Sequence, residues 1–427
     1  MAVNHKGSVF AFLFLLPAWL FCQEQQILAG RVTDAVNGNP LPYAAISVAN
    51  TTLGTVTNDD GAFQLSVPAK YSGDTILVSY LGYDLFRKWI PDFMGSSQEI
   101  RMQPRSLQLS EVEVLGLSAE EVIRRVVENI PANFGADSLI ITAFIRSRKT
   151  VNNKLAEFTE AIIQDMKTGY FLYKPGEYER KHKSSNIPRL IKGRVVSDTS
   201  LVNAMGEAGR EAGCLSCNFI FDIAEFYHKT ILDVKLLKHY DLRMEEMVNP
   251  AGGKIYHIFY NQKAGVKERL WKGELFIEST SFALVKMTQK PSFNAWESYE
   301  KSKYQRSFFI LDQPGWIADM PLIDRTVTYA RRDGDWYLST IRDEEWITFS
   351  QPVTGQRLRF GYKNEVVVTD ATRDAEQIKN YEGDRSTGTG QRWDQIAGPP
   401  DPGFWAGFNY LPVEEKLKND ISKIGQK

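Results

Sequence analysis

GRVTDAVNGNPLPYAAISVANTTLGTVTNDDGAFQLSV (residues 30–67), continued by DTILVSYLGY (residues 74–83), is a ladder of short alternating segments cut by turn residues. Ala44, Ile46 and Val48 fall on one face of a strand, then Phe63, Leu65 and Val67, then Ile76, Val78 and Tyr80. Between them stand Asn37-Gly38-Asn39-Pro40, Asn58-Asp59-Asp60-Gly61 and Ser72-Gly73-Asp74. These residues tolerate positive φ or hold it near the turn value. Short strands at this spacing predict an antiparallel sandwich of about seven strands.

Ahead of this stretch, Lys6 precedes the apolar run Val9 to Phe21 and the polar Gln23 to Gln26. That order reads as a secretory signal over residues 1–22, with the mature chain starting near Gln23. The run is short of the ~20 apolar residues a membrane helix needs, and no later segment qualifies. Cys22 offers lipidation as an alternative to simple cleavage, although Leu20 and Phe21 are bulky where that processing expects small residues. The ~405 residues that follow suit two or three domains. Lysine plus arginine number 51 against 52 aspartates and glutamates, so no global field recruits nucleic acid.

Beyond the ladder and the stretch Pro104 to Leu117, Ser118-Ala-Glu-Glu121 is a capping box. Val122, Ile123, Val126, Val127 and Ile130 make an apolar stripe that stops at Pro131, so an amphipathic helix is expected. Strands are expected at Leu139 to Arg148, Leu155 to Met166, Lys254 to Asn261, Arg269 to Glu278, Ala283 to Gln289, Asp324 to Arg331, Trp336 to Ser350 and Gln356 to Thr369. Phe221 to Leu237 reads as helical. Ala251-Gly252-Gly253 and Arg332-Asp333-Gly334-Asp335 read as hairpin turns. A closing helix has Pro412 near its start, Glu414 and Glu415 in its first turn, Leu417, Ile421 and Ile424 on one face and Gly425 as its stop.

The N-terminal pattern of Gly30, Asp34, Gly38, Pro40, Leu41, Ala44, Val48, Gly54, Thr57, Asp60, Gly61, Phe63 and Leu81-Gly82-Tyr83 resembles the transthyretin-like regulatory domain attached to zinc carboxypeptidases. In that family the glycines and Asp60 serve the fold. Similar modules precede TonB-dependent barrels in Bacteroidetes-like bacteria. A barrel of about 22 strands, at ~9 to 11 residues each plus loops, does not fit the ~320 residues left here. Trp271 to Lys286 is similar to a hairpin in the half-barrel of periplasmic lipoprotein carriers, which implies an apolar pocket. The Glu128-Asn129-Ile130-Pro131 helix end, Asp335-Trp336-Tyr337-Leu338-Ser339, Val366 to Asp370 and Phe404 to Tyr410 together resemble secreted Bacteroidetes proteins named for their carboxypeptidase-like regulatory domain, whose C-terminal region has no assigned activity.

Catalytic patterns are not found. A zinc carboxypeptidase needs His-x-x-Glu and a second His; His182, His228, His239 and His257 lie apart and none begins that motif. There is no G-x-S-x-G elbow, and Gly388-Thr389-Gly390 lacks the Lys-Ser/Thr ending of a phosphate loop. Glu344 and Glu345 are adjacent in a strand and point to opposite faces, so they cannot flank one glycosidic bond. Trp271, Trp296, Trp316, Trp336, Trp346, Trp393 and Trp405 are able to stack on sugars, but core and hairpin packing accounts for most tryptophans in a β-rich chain. Cys214 and Cys217 form a candidate disulfide in an oxidising compartment; redox chemistry and half a zinc site are the alternatives.

The expected fold is mainly β with an α+β C-terminal part: a seven-stranded antiparallel sandwich, then a large antiparallel, half-barrel-like sheet with packed helices. The expected domains are a signal peptide (1–22), the sandwich (27–104), a linker (105–117), the sheet domain (118–370), a mobile loop (371–410) and the closing helix (411–425). The expected role is a non-enzymatic, exported protein, periplasmic or outer-membrane-associated. Its sandwich docks, and its sheet body binds lipid or a lipid-bearing partner, with Leu275, Ile277, Val285 and Met287 lining an apolar pocket or a filled core. No catalytic, cofactor or metal residue is assigned. The alternatives are a component of an outer-membrane uptake or secretion complex, bound to an outer-membrane protein, or a hydrolase assembled from distant carboxylates.

Overall fold

The computed structural model describes residues 25–93, 98–105, 116–170, 186–204, 222, 230–248, 253–267, 270–292, 315–318, 322–383, 405 and 408–424. The ladder forms β1 (Gln25–Asp34), β2 (Ala45–Val48), β3 (Gly54–Val56), β4 (Ala62–Pro68), β5 (Thr75–Ser79), β6 (Phe86–Trp89) and β7 (Gln98–Met102). They make two sheets, ordered β4-β1-β7 and β3-β2-β5-β6. Ile46, Val48, Phe63, Leu65, Val67, Ile76 and Val78 meet in one buried cluster between them. The turn before β4 needs its glycine: Gly61 has φ +76, and a Cβ there would lie 2.5 Å from the Val32 carbonyl oxygen. Asn58 supports the same turn, its Oδ1 accepting from the Asp60 and Ala62 amides. One pairing departs from the antiparallel expectation, since β7 lies parallel to β1 from Gly30↔Gln98 to Asp34↔Met102. No hairpin joins these two strands, so no turn dictates their relative direction.

The body contains β8 (Leu139–Val151), β9 (Lys154–Lys167), β10 (Asn186–Ser197), β11 (Tyr240–Val248), β12 (Lys254–Gln262), β13 (Trp271–Glu278), β14 (Leu284–Pro291), β15 (Ile317–Ala318), β16 (Leu322–Arg332), β17 (Asp335–Gln351) and β18 (Gln356–Thr372). Their order is β10-β9-β8-β18-β17-β16-β14-β13-β12-β11, with β15 paired to β17. All these pairs are antiparallel and the sheet does not close into a barrel. Asn152 and Asn153, both at positive φ, turn β8 into β9, and Asp333-Gly334 does the same between β16 and β17. These are the left-handed pairs that match strand twist in two-residue hairpins.

Helix α1 (Ala119–Glu128) starts where the capping box places it, with Ser118 Oγ accepting from the Glu121 amide. It runs on into α2 (Ile130–Phe134). Val122, Ile123, Val126, Val127, Ile130 and Phe134 all face the sheet. Short helices follow at α3 (Thr199–Ala204) and α4 (Ala375–Lys379), and α5 (Glu415–Ile424) closes the described chain, burying Leu417 and Ile424. Among the described residues no helix is long and apolar enough to cross a membrane. The helix expected over Phe221 to Leu237 is not formed in its described part. Residues 230–236 are turns followed by a 3-10 turn at Leu237–His239, because Thr230 and Asp233 side chains accept the Leu232 and Lys235 amides and compete with helical bonding.

The sandwich is seated on the outer face of the body. Val56 joins Phe144, Ile162, Val367 and Leu411 in one buried apolar cluster. Around it, Lys363 pairs with Asp59 at 2.6 Å, Arg332 Nη1 donates to the Thr52 carbonyl at 2.8 Å, and Thr52 Oγ1 donates to Asp370. Residues 408–412 bind both sides: Asn409 Oδ1 accepts from the Ser66 amide, Asn58 Nδ2 donates to the Pro412 carbonyl, and wholly buried Arg146 donates to the Leu411 and Pro412 carbonyls. Arg146 also pairs at 2.7 Å with Glu160, which Arg194 grips from the other side. The sandwich, sheet and C-terminal segment thus share one polar and apolar network.

Candidate functional site on the inner face of the sheet

Residues directly opposite one another on neighbouring strands share a face, as do residues two apart along a strand. The register therefore resolves the inner face, the one beneath α1, into rows. One row runs Ile258, Leu275, Met287, Val327, Ile341, Val366, Ile145 and Ala161, crossing eight strands without a polar residue. All eight belong to the buried cluster that includes the α1 stripe.

Of the residues expected to line a pocket, Leu275, Ile277 and Met287 lie in this cluster and are wholly buried. Val285 is half-buried and packs against both this cluster and a smaller one formed by Ile255 and Phe276. The pairing jumps from Phe276↔Lys286 to Ile277↔Leu284, leaving Val285 as the extra residue of a bulge. Leu284 takes the place opposite Ile277, which strict alternation does not anticipate. The candidate disulfide residues, Cys214 and Cys217, lie outside the described residues, as do residues 1–22 with Cys22.

Two residues further along each strand the chemistry changes. The next row reads Tyr260, Gly273, Gln289, Arg325, Asp343, Asn364, Ser147 and Thr159. Beside it stand Glu345, Tyr362, Lys149 and Glu157. The cations have carboxylate partners: Arg325 with Asp343 at 2.9 Å and Lys149 with Glu157 at 2.7 Å. Burial lifts the Asp343 carboxyl above its ordinary value even though Arg325 opposes the shift. Burial, reinforced by Asp343, Glu345 and Glu157, also pushes the Tyr362 phenol up against a hydrogen bond from Ser147, so Tyr362 keeps its proton. Arg325 lies over the Trp271 ring at 5.3 Å.

At the α2 end, a third group is closed on itself. Asp222 accepts from Lys167 Nζ at 2.6 Å and Tyr170 Oη at 3.0 Å through one oxygen, and from Tyr329 Oη at 2.6 Å through the other. Phe134 packs on both tyrosines. A buried carboxylate with this set of donors has its charge satisfied internally. The arrangement as a whole can hold hydrocarbon against the apolar row and hydrogen-bond a polar group at the adjoining one. Sequence alternation locates the apolar residues, but the polar row depends on register across seven hairpin and non-hairpin pairings and has no local signal.

Residues 28–114 match the CarboxypepD_reg-like domain family. The TonB-dependent receptor SusC of Bacteroides thetaiotaomicron is 39% identical over 83 residues, 18% of this chain and 8% of the receptor. The chain thus spans less than a tenth of the length of that curated relative. Among solved structures, a DUF1329 family protein from Desulfovibrio piger aligns over 60% of this chain and 92% of its own, at 9% identity and a TM-score of 0.25. A LolA superfamily protein from Nitrosomonas europaea aligns over 60% and 95%, at 11% identity and a TM-score of 0.20. The N-terminal sandwich of this chain is a CarboxypepD_reg-like domain, of the kind that the Bacteroides receptor also carries.

Proposed function

We propose that this chain is a non-enzymatic cell-envelope protein whose sheet body binds the apolar part of a lipid or of a lipid-bearing partner. The observation that carries the reading is the uninterrupted apolar row from Ile258 to Ala161 on a sheet that is not closed, with the amphipathic α1 laid over it. An acyl chain presents the same chemistry as the α1 stripe, so it can replace or extend that contact. The sandwich supports the body from the outer face, and its domain type, shared with a TonB-dependent receptor, supports an exported, envelope location.

The test is to express the chain in a bacterial periplasm, extract the purified folded protein with organic solvent and analyse the extract by mass spectrometry. Lipid at a near-stoichiometric ratio is expected, reduced by Met287→Asp, which places a charge on the apolar row. A clean extract together with no uptake of added fatty-acyl probes would overturn the proposal. The second reading, a component of an outer-membrane uptake or secretion complex, is favoured by the receptor's related domain. Co-purification of an outer-membrane protein that is lost on deleting the sandwich supports it.

A further inference from the structure

Three side chains of the polar row carry a buried polar atom with no hydrogen-bond partner among the described residues: Gln289 Nε2 on β14, and Asn364 Oδ1 and Thr159 Oγ1 close together on β18 and β9. Asn364 is 2% exposed and Thr159 1% exposed, yet among the described residues Asn364 Oδ1 and Thr159 Oγ1 have no hydrogen-bond partner. Both point to the inner face, on either side of Ser147, two strand spacings or about 10 Å apart. An unpaired buried polar atom costs about 1–3 kcal/mol, so its retention asks for a reason.

The surroundings restrict what the two atoms can bind. Arg325 and Lys149 are already held by Asp343 and Glu157, and Glu345 adds a further carboxylate 3.6 Å from Arg325. A phosphate would find its cations occupied and carboxylates close by. A hydroxyl can donate to Asn364 Oδ1, and can donate to or accept from Thr159 Oγ1. Two positions set two strand spacings apart suit a group with several hydroxyls rather than one. The apolar row lies two residues away along every strand.

We propose that Asn364 and Thr159 hydrogen-bond the neutral, hydroxyl-rich head of an amphiphile, a glycosyl group, whose hydrocarbon lies on the adjoining apolar row. This rests on the lipid-binding reading above and names the head-group class it leaves open. Enclosure makes the recognition selective, because a ligand without hydroxyls leaves the same two atoms unpaired in a low-dielectric site.

The experiment is calorimetric titration of the full exported chain with octyl glucoside below its micelle concentration, with octyl phosphate and with glucose, comparing the wild type with the Thr159→Val/Asn364→Leu double variant. Octyl glucoside is expected to bind saturably, about tenfold or more weaker to the double variant, as the loss of two hydrogen bonds predicts. Octyl phosphate is expected to bind the wild type at least tenfold more weakly than octyl glucoside. The double variant should unfold at the same or higher denaturant, since it removes unpaired atoms; marked destabilisation would assign them a structural role and overturn the proposal. Should the double variant fail to fold, Thr159→Val alone carries the same titration. Equal binding of both alkyl ligands, indifferent to the substitutions, would sink the head-group assignment and leave the lipid reading standing. Glucose binding as tightly as octyl glucoside, with the same loss in the variant, would keep the hydroxyl site and remove the lipid reading. No binding by any of the three would remove both.

Discussion

Tyr43 in the sandwich donates a 2.6 Å hydrogen bond to Glu365 in β18, 322 positions later in the chain. Glu365 is buried, and its second oxygen accepts from Arg148 at 2.8 Å while Lys363 lies 3.6 Å from the first. One carboxylate therefore joins the two domains. Removing the phenol in Tyr43→Phe deletes a hydrogen bond to a charged group, worth roughly 1.5–3 kcal/mol. Urea unfolding should show a midpoint lowered accordingly; an unchanged midpoint would mean that the contact is not made in solution.

Acid should loosen the same junction. Burial acts to raise the Glu365 pKa, but Arg148, Lys363 and Arg146 outweigh it and pull the carboxyl from 4.5 down to about 2. A depressed folded pKa stabilises the protein above the unfolded value, and that contribution is lost as pH falls from about 4.5 towards about 2. Its size is on the order of 3 kcal/mol. Stability measured against pH should therefore fall over this window in the wild type. In Glu365→Gln the fall should be shallower, on a lower plateau because Arg148 loses its 2.8 Å carboxylate partner and Lys363 one of its carboxylates. Parallel curves for the two proteins would refute the assignment.

Leu411 tests whether the C-terminal segment belongs to the domain junction. Its side chain is wholly buried among Val56 of the sandwich and Phe144, Ile162 and Val367 of the body. Leu411→Ala should cost about 2–5 kcal/mol. Hydrogen exchange should quicken on both β3 and β18, whereas faster exchange confined to residues 408–424 would show that the segment is merely appended.

Ser118 carries a smaller and local effect. Its Oγ accepts from the Glu121 amide at 3.2 Å at the start of α1. Ser118→Ala should lower stability by about 1 kcal/mol and Ser118→Asp should restore it, because a carboxylate caps equally well and favours the positive helix end. Failure of Asp to rescue would point to a role for the serine other than capping.

Much of this architecture is legible in the chain. Asn58 and Gly61 mark a turn whose geometry permits little else, Asp333-Gly334 marks a hairpin, and Ser118 marks a helix start. Each is a contact between residues within a few positions, so its chemistry is written side by side. Strands β10 and β11 escape the same reading. The first carries Pro188, Gly193 and several cations, and the second, YDLRMEEMV, has a valine only at its end. Both are strands because a long edge on β9 and on β12 offers them hydrogen bonds, a tertiary influence that outweighs propensity. The bulge at Val285 is likewise invisible to alternation.

By itself, then, the sequence determined the sandwich, the alternating body strands, the capped α1 and the apolar side chains that face inward, because turn chemistry and hydrophobic period act over two to four residues. Only the tertiary structure decided that Asn364 and Thr159 flank Ser147 in one row, that Val285 bulges from β14, and that Tyr43 meets Glu365. Those relationships depend on which strands pair and in which register. A shift of one residue would turn every side chain to the opposite face, and the energy that prevents it comes from burying one whole face of the sheet at once.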